Sequence, residues 1–276
     1  MSITGAYVMP HPPLIIPEVG RGEEKKISKT VAACEAVAGR IAEEAPDTVV
    51  LTSPHAQSFW DCFHINPQTE ARGDMRRFGA GGVNVSAGCD TEFIGELSRM
   101  AGERDFPVDS GTRSGTEIDH AATVPLYFIN KAYTGYRLVL TGISGMPPES
   151  HYEFGRLIAE TARVLDRKTV FLASGDLSHR LLNEGPYGFA KEGPAFDEKV
   201  TEALANADFE TLMNMDPGFC ENAGECGLRA LQVMAGTLDG MALQPEMLSY
   251  EGPFGVGYCV AAFSVTGRDD RRKFFD

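Results

Sequence analysis

Residues 48–55 read Thr48-Val49-Val50-Leu51-Thr52-Ser53-Pro54-His55, a β-branched, apolar run closed by a proline and a histidine. Such a run reads as a strand buried on both faces, and Pro54 stops it because proline has no amide proton to give to a ladder. Upstream, Glu23 to Glu44 carries Ile27, Val31, Cys34, Val37 and Ile41 at spacings of three and four, the stripe of an amphipathic helix, ended by Pro46-Asp47. Further back, Gly5-Ala6-Tyr7-Val8-Met9 is a short strand halted at Pro10-His11-Pro12-Pro13. A strand, helix, strand series of this length needs a crossover, so the two strands are expected to be a parallel pair.

The alternation continues downstream. Cys62 to Ile65 and Val83 to Val85 are expected strands, and the charged, Gly-rich stretch Glu70 to Gly82 between them is expected to be a mobile loop. Thr91 to Ala101, His120 to Tyr133 and Glu149 to Leu165 have helical spacing; Arg137 to Ile143 and Thr169 to Ala173 are further core strands. Helices are expected around Phe196 to Ala205, Asp208 to Met215 and Gly224 to Leu238, then closing strands at Met247 to Tyr250 and Gly257 to Val265, with Arg268 to Asp276 a frayed, charged end. No repeat or linker divides the chain. The expected fold is one α/β domain over residues 1–276, with a central, mostly parallel or mixed sheet flanked by helices and an active site at the carboxyl ends of its strands.

Composition narrows the functions. Among 276 residues, 25 Lys+Arg stand against 39 Asp+Glu, a net charge of -14 that repels phosphate backbones and anionic lipid, so neither nucleic acid nor membrane is an expected partner. With no apolar run near the roughly 20 residues of a membrane span and no signal-peptide pattern at the start, a cytoplasmic location is expected. Of the six cysteines, which form no C-x-x-C pair, most are expected to be reduced thiols. That leaves six histidines as the scarce groups able to ligate a metal or move a proton near neutral pH.

His11, His55 and His179 each fall just past a strand end, where loops of an open α/β sheet converge. A single loop histidine is most often a hydrogen-bonded surface group; three at equivalent places point to one crevice. Fe(II) favours two histidines and a carboxylate on one face, with open positions for substrate and O₂. Glu221-Asn222-Ala223-Gly224-Glu225-Cys226-Gly227 offers that third ligand, Glu225 being the choice for Fe(II), whereas a Cys226 thiolate favours Cu(I) or Zn. The plain alternative makes the acids dipole partners of a helix start and Cys226 a small buried residue. His64 reads as a surface or satisfied sheet histidine and His151 as a local group at a helix start. Gly252-Pro253-Phe254-Gly255-Val256-Gly257 precedes a strand rather than opening a helix, which rejects a phosphate loop. Trp60 is either a pocket wall or ordinary packing.

Taken in order, Met9-Pro10-His11-Pro12-Pro13, Ser53-Pro54-His55, Ser174-Gly175-Asp176-Leu177-Ser178-His179 and Glu225-Cys226-Gly227 resemble the LigB-type class III extradiol ring-cleavage dioxygenases over nearly the whole chain. Asp119-His120 followed by Val124-Pro125-Leu126 resembles that family's histidine segment that either supports the metal ligands from behind or contacts substrate. The resemblance implies Fe(II) held by His11, His55 and a carboxylate, His179 as acid/base, His120 lining the pocket, and a small aromatic diol and O₂ as substrates. Cys226-Gly227 is similar to the Cys-Gly of the Memo-like and AmmeMemoRadiSam-group relatives, where the thiol stands near the carboxylate's place, so this resemblance leaves Glu225 or Cys226 as third ligand. It also implies a metal-binding protein working with a small partner subunit, or a homo-oligomer.

Overall fold

The computed structural model describes residues 2–111 and 115–274. In chain order the elements are β1 (Ile3–Met9), α1 (Pro17–Gly20), α2 (Ser28–Glu44), β2 (Thr48–Ser53), β3 (Phe63–His64), β4 (Glu70–Met75), β5 (Ala80–Gly88), α3 (Thr91–Glu103), β6 (Val108–Asp109), α4 (His120–Ala132), β7 (Arg137–Gly142), α5 (Pro148–Val164), β8 (Thr169–Ser174), α6 (Glu192–Asn206), α7 (Phe209–Met213), α8 (Pro217–Ala223), α9 (Leu228–Thr237), β9 (Met241–Glu251) and β10 (Tyr258–Arg268).

A six-stranded mixed sheet of order β7-β2-β8-β1-β10-β9 forms the centre of a single α/β domain. β7, β2, β8 and β1 are parallel, while β10 adds antiparallel to β1 and β9 antiparallel to β10. Every residue of β2 and of β8 is buried, as near-continuous apolar runs require when helices cover both faces. The helix pairs α2 with α4 and α5 with α9 provide that cover. β1 and β2 run in the same direction as expected, but β8, from more than 100 residues later, lies between them. The local pattern defines a crossover and not which strand fills the gap.

Three expectations are corrected. Glu70 to Gly82 is no loop: β4 pairs antiparallel with β5, and β4 turns Ala71, Gly73 and Met75 inward in strict alternation. The inward set is mostly small, so its hydrophobic signal is faint; Gly73 packs where a Cβ would lie 2.2 Å from Thr123 Oγ1. The end of the chain is docked through Phe274: Asp270–Arg272 form a 3-10 turn, Arg272 donates to the Ala207 carbonyl, and the Phe274 ring packs 5.7 Å from Tyr152. The last two residues of the expected frayed end lie outside the described residues. The expected helix at Gly224 starts only at Leu228, because Gly224 takes a left-handed φ of 66° that closes α8 and throws Glu225-Cys226-Gly227 into a turn. Among the described residues no helix is long and apolar enough to cross a membrane.

Candidate metal centre

His11 follows β1, His55 follows β2 and His179 follows β8, and all three strands are parallel, so their carboxyl ends open into one crevice. His120 joins them from the first residue of α4, whose N-cap Asp119 accepts from the amides of Ala121 and Ala122. The rings of His11, His55 and His120 lie within 5.4 Å of one another, with His55 stacked on His120 at 4.8 Å.

The atoms able to ligate a metal come from three parts of the chain. Those of His11, His55 and Cys226 lie within 4.8 Å of each other. The two turns carrying Asp176 and Cys226 meet because both have glycine at the contact: a Cβ on Gly175 would lie 2.3 Å from the Gly227 Cα. Cys226 Sγ is 3.7 Å from His11 Nε2. Asp176 Oδ1 accepts the His11 amide proton at 2.8 Å, and its Oδ2 stands 3.9 Å from His11 Nε2.

A proline sets the orientation of His11. Pro125 in α4 lacks an amide proton, so the carbonyl of Ala121, four residues back, has no donor from that position. The Ser174 hydroxyl donates to that carbonyl at 2.6 Å. Its one proton thus spent, Ser174 Oγ accepts from His11 Nδ1–H at 3.0 Å, which assigns the proton to Nδ1 and leaves the Nε2 lone pair facing Cys226. A parallel relay fixes His55: its amide donates to Ser53 Oγ at 3.2 Å, and Ser53 donates to Asp119 Oδ1 at 2.7 Å. His179 Nδ1–H donates to the Gly224 carbonyl, leaving its Nε2 open to take a proton.

Burial lowers the basicity of His11, with the neighbouring His55 and His120 adding to it, and burial followed by His55 lowers that of His120. Neutral imidazoles with free lone pairs result. Burial raises Asp176 to about 6 against the pull of the His11 amide, and raises the Cys226 thiol well above its usual range. Such a set fits a divalent transition metal, whose charge would draw the protons off thiol and carboxyl together. Glu225, the expected carboxylate, has another use: its Oε2 accepts the Leu228 amide proton at 2.7 Å at the start of α9, and burial raises its pKa. Of the two candidates in this turn, the geometry therefore favours Cys226. Sequence reasoning missed Ser174, Asp176 and Ser53 as supports, although all three lie inside the strand-end segments it quoted.

His64 is buried rather than at the surface, and it shares with His55, Asn66 and Asp119 a 210 Å³ side cavity. His151 is local as expected, accepting from the Ser144 amide and contacting the Pro147 carbonyl. Trp60 is 84% exposed, which removes it as a buried wall.

A fold with clustered histidines on loops after parallel strands, read with its sequence, defines the class. The family model described as the catalytic LigB subunit of aromatic ring-opening dioxygenase matches residues 5–261, and this chain belongs to that family. Protein CA_C1420 of Clostridium acetobutylicum is 39% identical over 277 residues, covering 98% of this chain; the chain spans 59% of that relative's length. The crystal structure of the uncharacterized protein JW3007 from Escherichia coli K12 superposes with a TM-score of 0.57 over 94% of this chain and 99% of that one. At 16% identity, that likeness is one of fold.

Proposed function

We propose that this chain binds one divalent transition metal, Fe(II) in the working state, on His11, His55 and Cys226, and catalyses extradiol-type opening of a small catechol-like ring by O₂. The observation that carries the reading is the convergence of these three ligating atoms within 4.8 Å, in a chain of the LigB family. When bound, the metal supplies Lewis acidity to a diol and an electron path between diol and O₂. The chain's own residues do the rest. His179, its Nδ1–H tied to Gly224, takes a diol proton at Nε2; the His120 ring, lying against His55, borders the substrate. The carbon–carbon bond beside the diol breaks, and both atoms of O₂ enter the product.

One observation favours a second reading, a Memo-like metal protein that acts with a partner and opens no ring. The softer thiolate of Cys226 stands where a dioxygenase of this type has a carboxylate, and thiolate suits Zn or Cu(I) as well as iron. Anaerobic loading with Fe(II), Zn(II) or Cu(I), followed by metal analysis and O₂ uptake over a catechol panel, separates the two. Stoichiometric iron with turnover is expected; a fully loaded protein that consumes no O₂ with any catechol leaves the second reading. Cys226→Ser is expected to weaken metal binding at least tenfold, roughly, and Glu225→Gln hardly at all.

A further inference from the structure

Two aromatic side chains stand at the crevice on separate flaps, and both are exposed where such rings are ordinarily packed. Phe78 closes the Arg76–Phe78 turn at the tip of the β4–β5 hairpin; it is 37% exposed, and its ring lies 5.4 Å from His120 at 60°. Tyr187 is 63% exposed, its ring 5.2 Å from His179 at 68°. Its loop, closed at the base by the Leu181 to Phe189 bridge, is not loosely hung. Gly255, with φ of 85°, lets that turn approach until a Cβ there would lie 2.9 Å from Gly185 Cα, and Leu181 donates to the Gly255 carbonyl at 3.1 Å. The glycine-rich stretch that fails as a phosphate loop is thus the seat of the Tyr187 flap.

Each ring meets its histidine at a steep angle, edge against face, and each histidine belongs to the proposed chemistry. We propose that Phe78 and Tyr187 are the specificity-determining walls that hold the substrate's ring, an inference that rests on the catechol reading of the site. Neither side chain is a carboxylate, an ammonium or a guanidinium. What they select is a flat unsaturated ring; the diol oxygens are left to the metal and histidines. Edge-to-face or offset contacts of this kind discriminate an aromatic from a non-aromatic ligand by about 3- to 10-fold each.

The test uses two probes that offer the metal similar oxygen pairs. The anaerobic, Fe(II)-loaded protein is titrated with 4-nitrocatechol, followed by absorbance, and with acetohydroxamate, which has no ring, followed by calorimetry. Phe78→Ala and Tyr187→Ala are each expected to weaken 4-nitrocatechol about 3- to 10-fold, with metal content and acetohydroxamate affinity within about twofold of wild type. Phe78→Tyr and Tyr187→Phe, which keep a ring, should restore it. Unchanged 4-nitrocatechol affinity in both alanine variants overturns the proposal, as do equal losses for the two probes, which would mark a disturbed crevice. Iron-loaded wild type that binds acetohydroxamate but not 4-nitrocatechol overturns the catechol reading itself, and this inference with it.

Discussion

His11 and His151 are both buried, and burial is the first cause lowering the basicity of each, His151 to about 4. Their second nitrogens part them. His151 spends both on the backbone, Nε2 on the Ser144 amide and Nδ1 on the Pro147 carbonyl. His11 spends Nδ1 on Ser174 and keeps Nε2 for the crevice. A histidine without a charged partner is therefore not thereby a ligand; an unspent nitrogen aimed at other ligating atoms is the mark.

The largest effect is expected on the His151 side. Phe63 packs its ring 4.9 Å from His151 and 4.4 Å from Phe154, with no exposure, so Phe63→Ala should lower the unfolding free energy by about 3–5 kcal/mol in denaturant melts. Metal stoichiometry should hold; its loss would mean that the two regions are one unit. His11→Ala reverses the pattern, with metal affinity down by roughly 100-fold or more in competition titrations, against a smaller stability change. His151→Ala, which orphans a buried amide and carbonyl, should cost about 1–3 kcal/mol and keep the metal.

Ser174→Ala is a finer probe. With no acceptor for Nδ1–H, His11 is free to turn, and metal affinity should fall about tenfold. Unchanged affinity would show that the Pro125, Ala121 and Ser174 relay does not set the ring.

The last effect is in pH. His151 titrates at about 4 when folded and near 6.5 unfolded, so between those values the unfolded chain binds the extra proton. Its contribution is whole above pH 6.5 and is lost as pH falls toward 4, up to about 3 kcal/mol. Asp176 and Asp197, raised by burial to about 6, run the other way, stabilising at low pH and losing that as pH rises through 6. The difference between wild type and His151→Asn isolates the histidine: the gap in melting temperature should narrow from pH 7 to pH 4. A constant gap would remove burial as the cause.

Much of this is legible in the sequence, and the residues say why. His11, His55 and His179 could be grouped because apolar runs mark strand ends, and parallel strands put those ends together. Ligand hardness alone ranks Glu225 above Cys226, and the geometry favours the reverse, since Gly224 ends α8 and delays α9 to Leu228, which turns the adjacent side chains apart. The β4–β5 hairpin was hidden by its small inward residues, and the place of β8 between β1 and β2 by its distance along the chain.

The same distance has a last consequence. His11 and Cys226 are separated by 215 positions, yet their ligating atoms meet at 3.7 Å. A cation held there would act as a clasp on a loop that takes in most of the polypeptide, joining ligands that the unfolded chain holds together only at an entropic cost. Because it would bind the native arrangement and not the open chain, its concentration would enter the melting temperature directly, and stripping it would loosen the whole sheet rather than one corner of it.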